Sequence, residues 1–364
     1  MKVLIINAIL YTSETANVKR VKSIKDTMIY DLCLAFKAQG AEPVLFAAEP
    51  YKPENKEEYP FEIIFAPCRL QKLFMPHRLP YIPYLKKYLK QHGDEFDLII
   101  SGEAFSLLSL TAARREPDKT VIWQELAKHN AMLHQIPSRL WYNLIPRTFM
   151  KDVPVIARSR EAQEFISRYC ANVQDIIIDH GVNLEKFTAN TEKENCFIIS
   201  SQLIERKQID KSIDAFSRFL KLRPNYKLYI FGEGDKEEEL KAQARQLGIE
   251  DKVVFFGKAE HGTLKDYLSR ARAMLIYTRQ DNNMVSVVEA IACATPIVTT
   301  TVPYNASYIK AHKLGIAKNG WDENDLNEIC ENSDFYVKNC LDYRAEVSTE
   351  KKVAQFLGAK QELK

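Results

Sequence analysis

Two acids eight positions apart, Asp281 and Glu289, lie in "RQDNNMVSVVEAIACATPIV". The preceding "AMLIYTR" reads as a strand, residues 279–284 as a polar loop, and "VSVVEAIACA" as a helix that Ser286 could cap. The N–H groups of Met284, Val285 and Ser286 then stand at a helix start, where unpaired donors and the macrodipole favour an anion. With Asp281 in the loop and Glu289 one turn into the helix, the acids could flank the two ends of one elongated ligand. Taken alone, an acid near a helix start is ordinary dipole complementarity.

Three more loops follow strands of the same series. After "CFIISSQL", Arg206 and Lys207 open the next helix; in isolation they are an ordinary solvated pair. After "YKLYIFGEG", Gly232 and Gly234 permit close backbone approach, which is weak evidence by itself. Gly257 and Lys258 follow "KVVFF".

Positioning these loops requires strands with helices between them. In the first half "KVLIINA", "EPVLFAA", "FEIIFAP", "FDLIISG", "TVIWQE", "PVIARS" and "DIIIDHG" read as strands, with helical patterns such as "KDTMIYDLCLAFKAQG" and "REAQEFISRYC". Continuous apolar strands separated by amphipathic helices imply a parallel sheet covered on both faces. The pattern restarts with "CFIISSQL" and runs through "PIVTTTV". Polar "NLEKFTANTEKEN" (183–195) reads as the linker, and "STEKKVAQFLGAK" as a C-terminal helix. Ligands of open α/β sheets sit beyond the carboxyl ends of the strands, so the loops above are where chemistry is expected.

In order and spacing, the stretches "SSQLIERKQIDKSIDAF", "YKLYIFGEGDKEEELKAQARQLGIEDKVVFFGKA" and "LKDYLSRARAMLIYTRQDNNMVSVVEAIACATPIV" resemble the C-terminal half of the retaining glycosyltransferases of family four. "ARSREAQEFIS" through "DHGVNLEKF" is similar to that family's interdomain passage, so the resemblance spans about residues 155–318. It implies a GT-B fold: two tandem Rossmann-like, doubly wound α/β domains facing across a cleft. The implied division is an acceptor-binding domain at 1–188, a nucleotide-sugar-binding domain at 189–345, and a helix at 346–364 returning to the first domain. The family's two acids fall on Asp281, which would contact sugar hydroxyls, and Glu289, which would hold the ribose. Its diphosphate-binding Arg and Lys fall on Gln202 and Lys207. Arg206, Gly232, Lys258, Asn283 and the amides at Met284, Val285 and Ser286 complete the expected donor site.

The sequence departs from the family in carrying Asp at 281, Gln at 202 and no glycine in "NAILYTSETANVKRVKSIKD". Where family members often carry a histidine after the fifth strand, "VIWQELAKHN" offers Glu125 and His129 for the acceptor side. His129 also fits an ordinary loop or helix-surface position, and His180 in "DHGVN" a structural one. Two basic, aromatic-rich stretches, 69–90 and 139–152, suit either an anionic membrane surface or plain helix faces with snorkelling lysines.

Composition sets the limits. The 364 residues suggest about two domains, and 46% hydrophobic with 27% charged residues describes a core-forming globular chain. A net charge of +3 and the lack of a recognition motif disfavour nucleic acid. Seven scattered cysteines without a Cys-x-x-Cys read as reduced thiols of a cytoplasmic protein, with attachment to the inner membrane face as an option. No apolar run suits a signal peptide or a spanning helix. His129 and His134 are wrongly spaced for one helical metal face, and neither a metal nor a cofactor is expected. The resulting expectation is a retaining glycosyltransferase that moves a sugar from a nucleotide-diphosphate donor to a glycan or lipid-linked acceptor in bacterial surface-polysaccharide assembly. Uridine is the default base. Two other readings stay open: a GT-B nucleotide-sugar epimerase and a non-catalytic partner of an active transferase.

Overall fold

The computed structural model describes residues 1–11, 18, 20–129, 132–259 and 261–362. The described chain divides into two compact units, 1–179 with 349 onward, and 180–348.

Unit 1 is built on seven parallel strands: β1 (Lys2–Ile6), β2 (Glu42–Ala48), β3 (Glu62–Ala66), β4 (Leu98–Gly102), β5 (Thr120–Gln124), β6 (Val155–Ala157) and β7 (Val173–Ile177). Their order is β3-β2-β1-β4-β5-β6-β7. Unit 2 has six: β8 (Cys196–Ser200), β9 (Lys227–Phe231), β10 (Val253–Gly257), β11 (Ala273–Ile276), β12 (Ile297–Thr299) and β13 (Gly315–Ala317), ordered β10-β9-β8-β11-β12-β13 and again all parallel. Val3, Leu4, Ile5, Phe197, Ile198 and Ile199 are almost fully buried, as expected of central strands covered by helices on both faces.

In each sheet the strand order reverses once, between β1 and β4 and between β8 and β11. The connections leaving those two strands run to opposite sides, which opens a crevice at their carboxyl ends. In unit 2 the loops meeting there are 201–208 and 277–284, the two that carry Lys207 and Asp281.

The polar run 183–195 is not a free linker. Asn183 caps a short turn at Leu184–Lys186, and Phe187 is buried. Lys193 donates to Ser269 O, Cys293 O and Thr295 Oγ1. Arg344 holds Leu184 O and Phe187 O. Local polarity was misleading because these polar groups are tied to unit 2. The chain leaves unit 1 earlier, at 179/180.

The helix Thr349–Glu362 belongs to unit 1, where Val353 and Phe356 join the core of the first sheet. The Phe356 ring meets the Trp123 ring edge-on at 5.3 Å, and Lys352 pairs with Asp179, both largely buried. Residues 346–348 stay with unit 2 through the bridge between Val182 and Ser348. The sequence reading missed β13, a three-residue strand, and set β7 two residues late.

Candidate active site

The loop after β8 is held against the loop after β9. Ser201 N–H donates to Phe231 O at 3.0 Å, and Leu203 N–H to Glu233 O at 2.9 Å. Gly232 has φ of +132°, and a Cβ there would stand 1.8 Å from Ser201 O. The close approach that Gly232 permits is therefore with Ser201 itself, which makes it a positioning residue for the loop. A Cβ on Gly234 would collide with Leu203 O in the same way. Lys258 is exposed beyond β10.

Held so, the short turn Glu205–Lys207 places its cations against the loop after β11. Lys207 Nζ lies 2.9 Å from both carboxylate oxygens of Asp281. Arg206 donates to Asp281 Oδ1 at 2.9 Å and to Gln280 O at 2.8 Å, and reaches Gln202 Oε1 at 3.4 Å. Thr278 Oγ donates to Asp281 Oδ2 at 2.7 Å. Gln202, Arg206, Lys207 and Asp281 thus form one cluster, joined by a residue the sequence reading passed over. The signal for Thr278 was its position directly beyond β11. Lys207 is only 9% exposed. Burial pushes its ammonium below the usual lysine range, while Asp281 opposes that shift.

The helix Val285–Ala292 begins immediately after this loop, with Met284 as its N-cap. Ser286 is therefore the second helical residue and not the cap. The Met284 N–H is already taken by Asn305 Oδ1 at 2.7 Å. Asn305 is fully buried and also donates to Asn283 Oδ1 at 2.7 Å. Of the three expected amides, Val285 and Ser286 remain in the first turn, where no intrahelical carbonyl serves them. Asn305 gave no sequence signal because it acts across 21 residues from a different helix, Asn305–Ala311.

Glu289 lies one turn further along and is partly exposed. Desolvation of its carboxyl raises the pKa to about 7, with Lys265 the opposing charge. No hydrogen bond or ion pair reaches that carboxyl among the described residues.

The acceptor-side candidates Glu125 and His129 make separate sets of contacts in unit 1. Glu125 pairs with Arg158 at 2.9 Å, and Arg158 stacks 3.6 Å above the Trp123 ring. Beside them Glu103, at φ of +67°, accepts from Glu125 N–H at 2.9 Å and Leu126 N–H at 3.2 Å. Burial and the Glu125 charge raise its pKa to about 7. His129 is occupied at both nitrogens, by Ser138 Oγ at 3.2 Å and Tyr169 OH at 3.0 Å, and packs against the Phe165 and Tyr142 rings. Its pKa is lowered by burial. That packing suits a structural role. Cys293 and His180 are buried. Among the described residues, no group of three His, Cys, Asp or Glu is placed to hold a metal ion.

Residues 183–332 match the family described as glycosyl transferases group 1. That match lies wholly within unit 2. The chain is 26% identical over 326 residues to alpha-monoglucosyldiacylglycerol synthase of Streptococcus pneumoniae, covering 82% of this chain and 72% of that protein. It is 28% identical over 140 residues to the lipopolysaccharide glucosyltransferase WaaG of Escherichia coli, covering 38% and 37%. Among solved structures, that of Anabaena HepE in complex with UDP superposes with a TM-score of 0.68 at 14% identity, covering 99% of this chain and 100% of that one. The structure of WaaG gives 0.64 at 15% identity, covering 97% and 99%. The fold is GT-B, with two Rossmann-like units.

The raised pKa of Glu289 makes the protein's stability depend on pH. Below about pH 4.5 the carboxyl is protonated in folded and unfolded chains alike and costs nothing. Between pH 4.5 and 7 only the unfolded chain ionises, so stability drains away; above 7 the penalty is complete. Glu289→Gln should therefore melt several degrees above the wild type at pH 8, for about 1–3 kcal/mol, and nearly level with it at pH 5. Melting by scanning fluorimetry at both pH values checks this; a less stable variant at pH 8 would contradict the burial argument.

Proposed function

We propose that the chain transfers a sugar with retention of configuration, from a nucleotide-diphosphate donor (a UDP-sugar by preference) to a glycan or lipid-linked acceptor in bacterial surface-polysaccharide assembly. The observation carrying this reading is the Arg206–Lys207–Asp281 cluster at the unit 2 switch point, beside a helix start. As the sugar bond breaks, negative charge develops on the leaving diphosphate. Lys207, Arg206 and the Val285 and Ser286 amides are preorganised donors for that charge, without need of a metal ion. The Glu289 carboxylate, which has no donor among the described residues, suits the two hydroxyls of a ribose. The cluster's one carboxylate, Asp281, is held by Lys207, Arg206 and Thr278 and is not free to act as a covalent nucleophile, so the departing phosphate would itself assist attack from the same face. Unit 2 then holds the donor and unit 1 the acceptor. HepE structures carrying UDP and UDP-glucose, and the glucosyldiacylglycerol product named for the pneumococcal relative, support the donor and lipid parts of the reading.

Membrane attachment at the cytoplasmic face is part of the proposal. Among the described residues no helix is long and apolar enough to cross a bilayer. The helix Ile136–Phe149, however, exposes Ile136, Leu140 and Leu144 at 59%, 68% and 60%, one stripe at helical spacing flanked by exposed Arg139 and Arg147. Such a stripe suits the boundary of an anionic bilayer.

Purified protein given UDP-sugars and a glycolipid acceptor should release nucleotide equally with or without chelator, and Lys207→Ala should lower kcat/KM by roughly 10²–10³. Unchanged release in that variant, or epimerised donor without nucleotide release, contradicts transfer at this site. Sedimentation with phosphatidylglycerol vesicles should bind the wild type and fail for Leu140→Glu with Leu144→Glu; equal binding of both sinks the membrane face.

A further inference from the structure

The expected family role of the first acid is to contact sugar hydroxyls, and the geometry points to a different one here. Asp281 is a positioning residue that aligns Arg206 and Lys207 as one paired cation for the donor diphosphate. Arg206 supplies the guanidinium that Gln202 lacks. This deepens, and rests on, the transfer reading above.

A carboxylate offers about four acceptor positions. Oδ1 of Asp281 accepts from Lys207 and Arg206, and Oδ2 from Lys207 and Thr278, at 2.7–2.9 Å. A sugar hydroxyl would have to displace a charge-assisted bond to a carboxylate that is itself largely removed from water, an unfavourable exchange. Thr278 also donates to Arg206 O at 3.2 Å, and Arg279 N–H to the same carbonyl at 2.9 Å, so the two loops are locked together around the carboxylate. Arg206 stands four positions after Gln202, yet their side chains meet at 3.4 Å. The guanidinium therefore stands where a shorter path from position 202 would have placed one. With Asp281 committed to the cations, the hexose is left unread at this end of the site.

Titration calorimetry with UDP and with UDP-glucose separates the two roles, because UDP has no hexose. Asp281→Asn should weaken both ligands by the same factor, tenfold or more, while Asp281→Glu stays within about threefold of wild type for UDP. Loss confined to UDP-glucose, or UDP binding unchanged or tighter in Asp281→Asn, overturns the proposal. If Asp281→Asn does not fold, Arg206→Ala carries the test: it should weaken UDP about tenfold, and adding Gln202→Arg should restore most of the loss. No loss in Arg206→Ala, or no restoration, likewise overturns it. A wild type that binds none of UDP, GDP and ADP overturns the transfer reading and this proposal with it. Nucleotide binding with the wrong variant pattern overturns only this proposal.

Discussion

The site depends on one ion pair, the Lys207 ammonium against both oxygens of the Asp281 carboxylate at 2.9 Å. Each group alone would be costly to hold so far from water, and removing Asp281 leaves the Lys207 ammonium an uncompensated buried charge. The pair exists because β8 and β11 are neighbours at the point where the strand order reverses, so the loops that follow them share one crevice. Three further contacts in unit 2 keep those loops in register. Gly232 lets the β9 loop press on Ser201, Thr278 ties the carboxylate to the Arg206 carbonyl, and Asn305 fixes the far end of the acidic loop at Met284.

A second constraint opposes the first. Glu289 is desolvated and has no protein donor among the described residues, a stability cost at neutral pH. Costs of this kind gather where a ligand will later supply the missing partner. The first unit has a comparable place at Glu103, where a left-handed backbone and the neighbouring Glu125 charge are tolerated around two backbone N–H bonds.

Much of the fold was legible in the sequence because parallel strands buried on both faces are written as unbroken apolar runs. Twelve of the thirteen strands were read from such runs; β13, Gly-Ile-Ala, has a single large apolar residue and no run to mark it. The loops that carry Lys207 and Asp281 were legible through their place after strands. Other features were hidden because they depend on contacts distant in sequence. Asn305 capping Met284 is one, and the saturation of Asp281 by Thr278 and Arg206 is another. Polarity at 183–195 suggested a linker, although Lys193 and Arg344 tie that run to unit 2. Nor could spacing tell that His129 is enclosed by aromatic rings.

The central claim is that this cluster receives a donor diphosphate. The most direct measurement is a crystal structure of the protein with UDP-glucose. The account predicts diphosphate oxygens about 3 Å from Lys207 Nζ and from the Val285 and Ser286 amides, with the ribose hydroxyls on Glu289. A diphosphate bound elsewhere, with no contact to Lys207 or to that helix start, would contradict it.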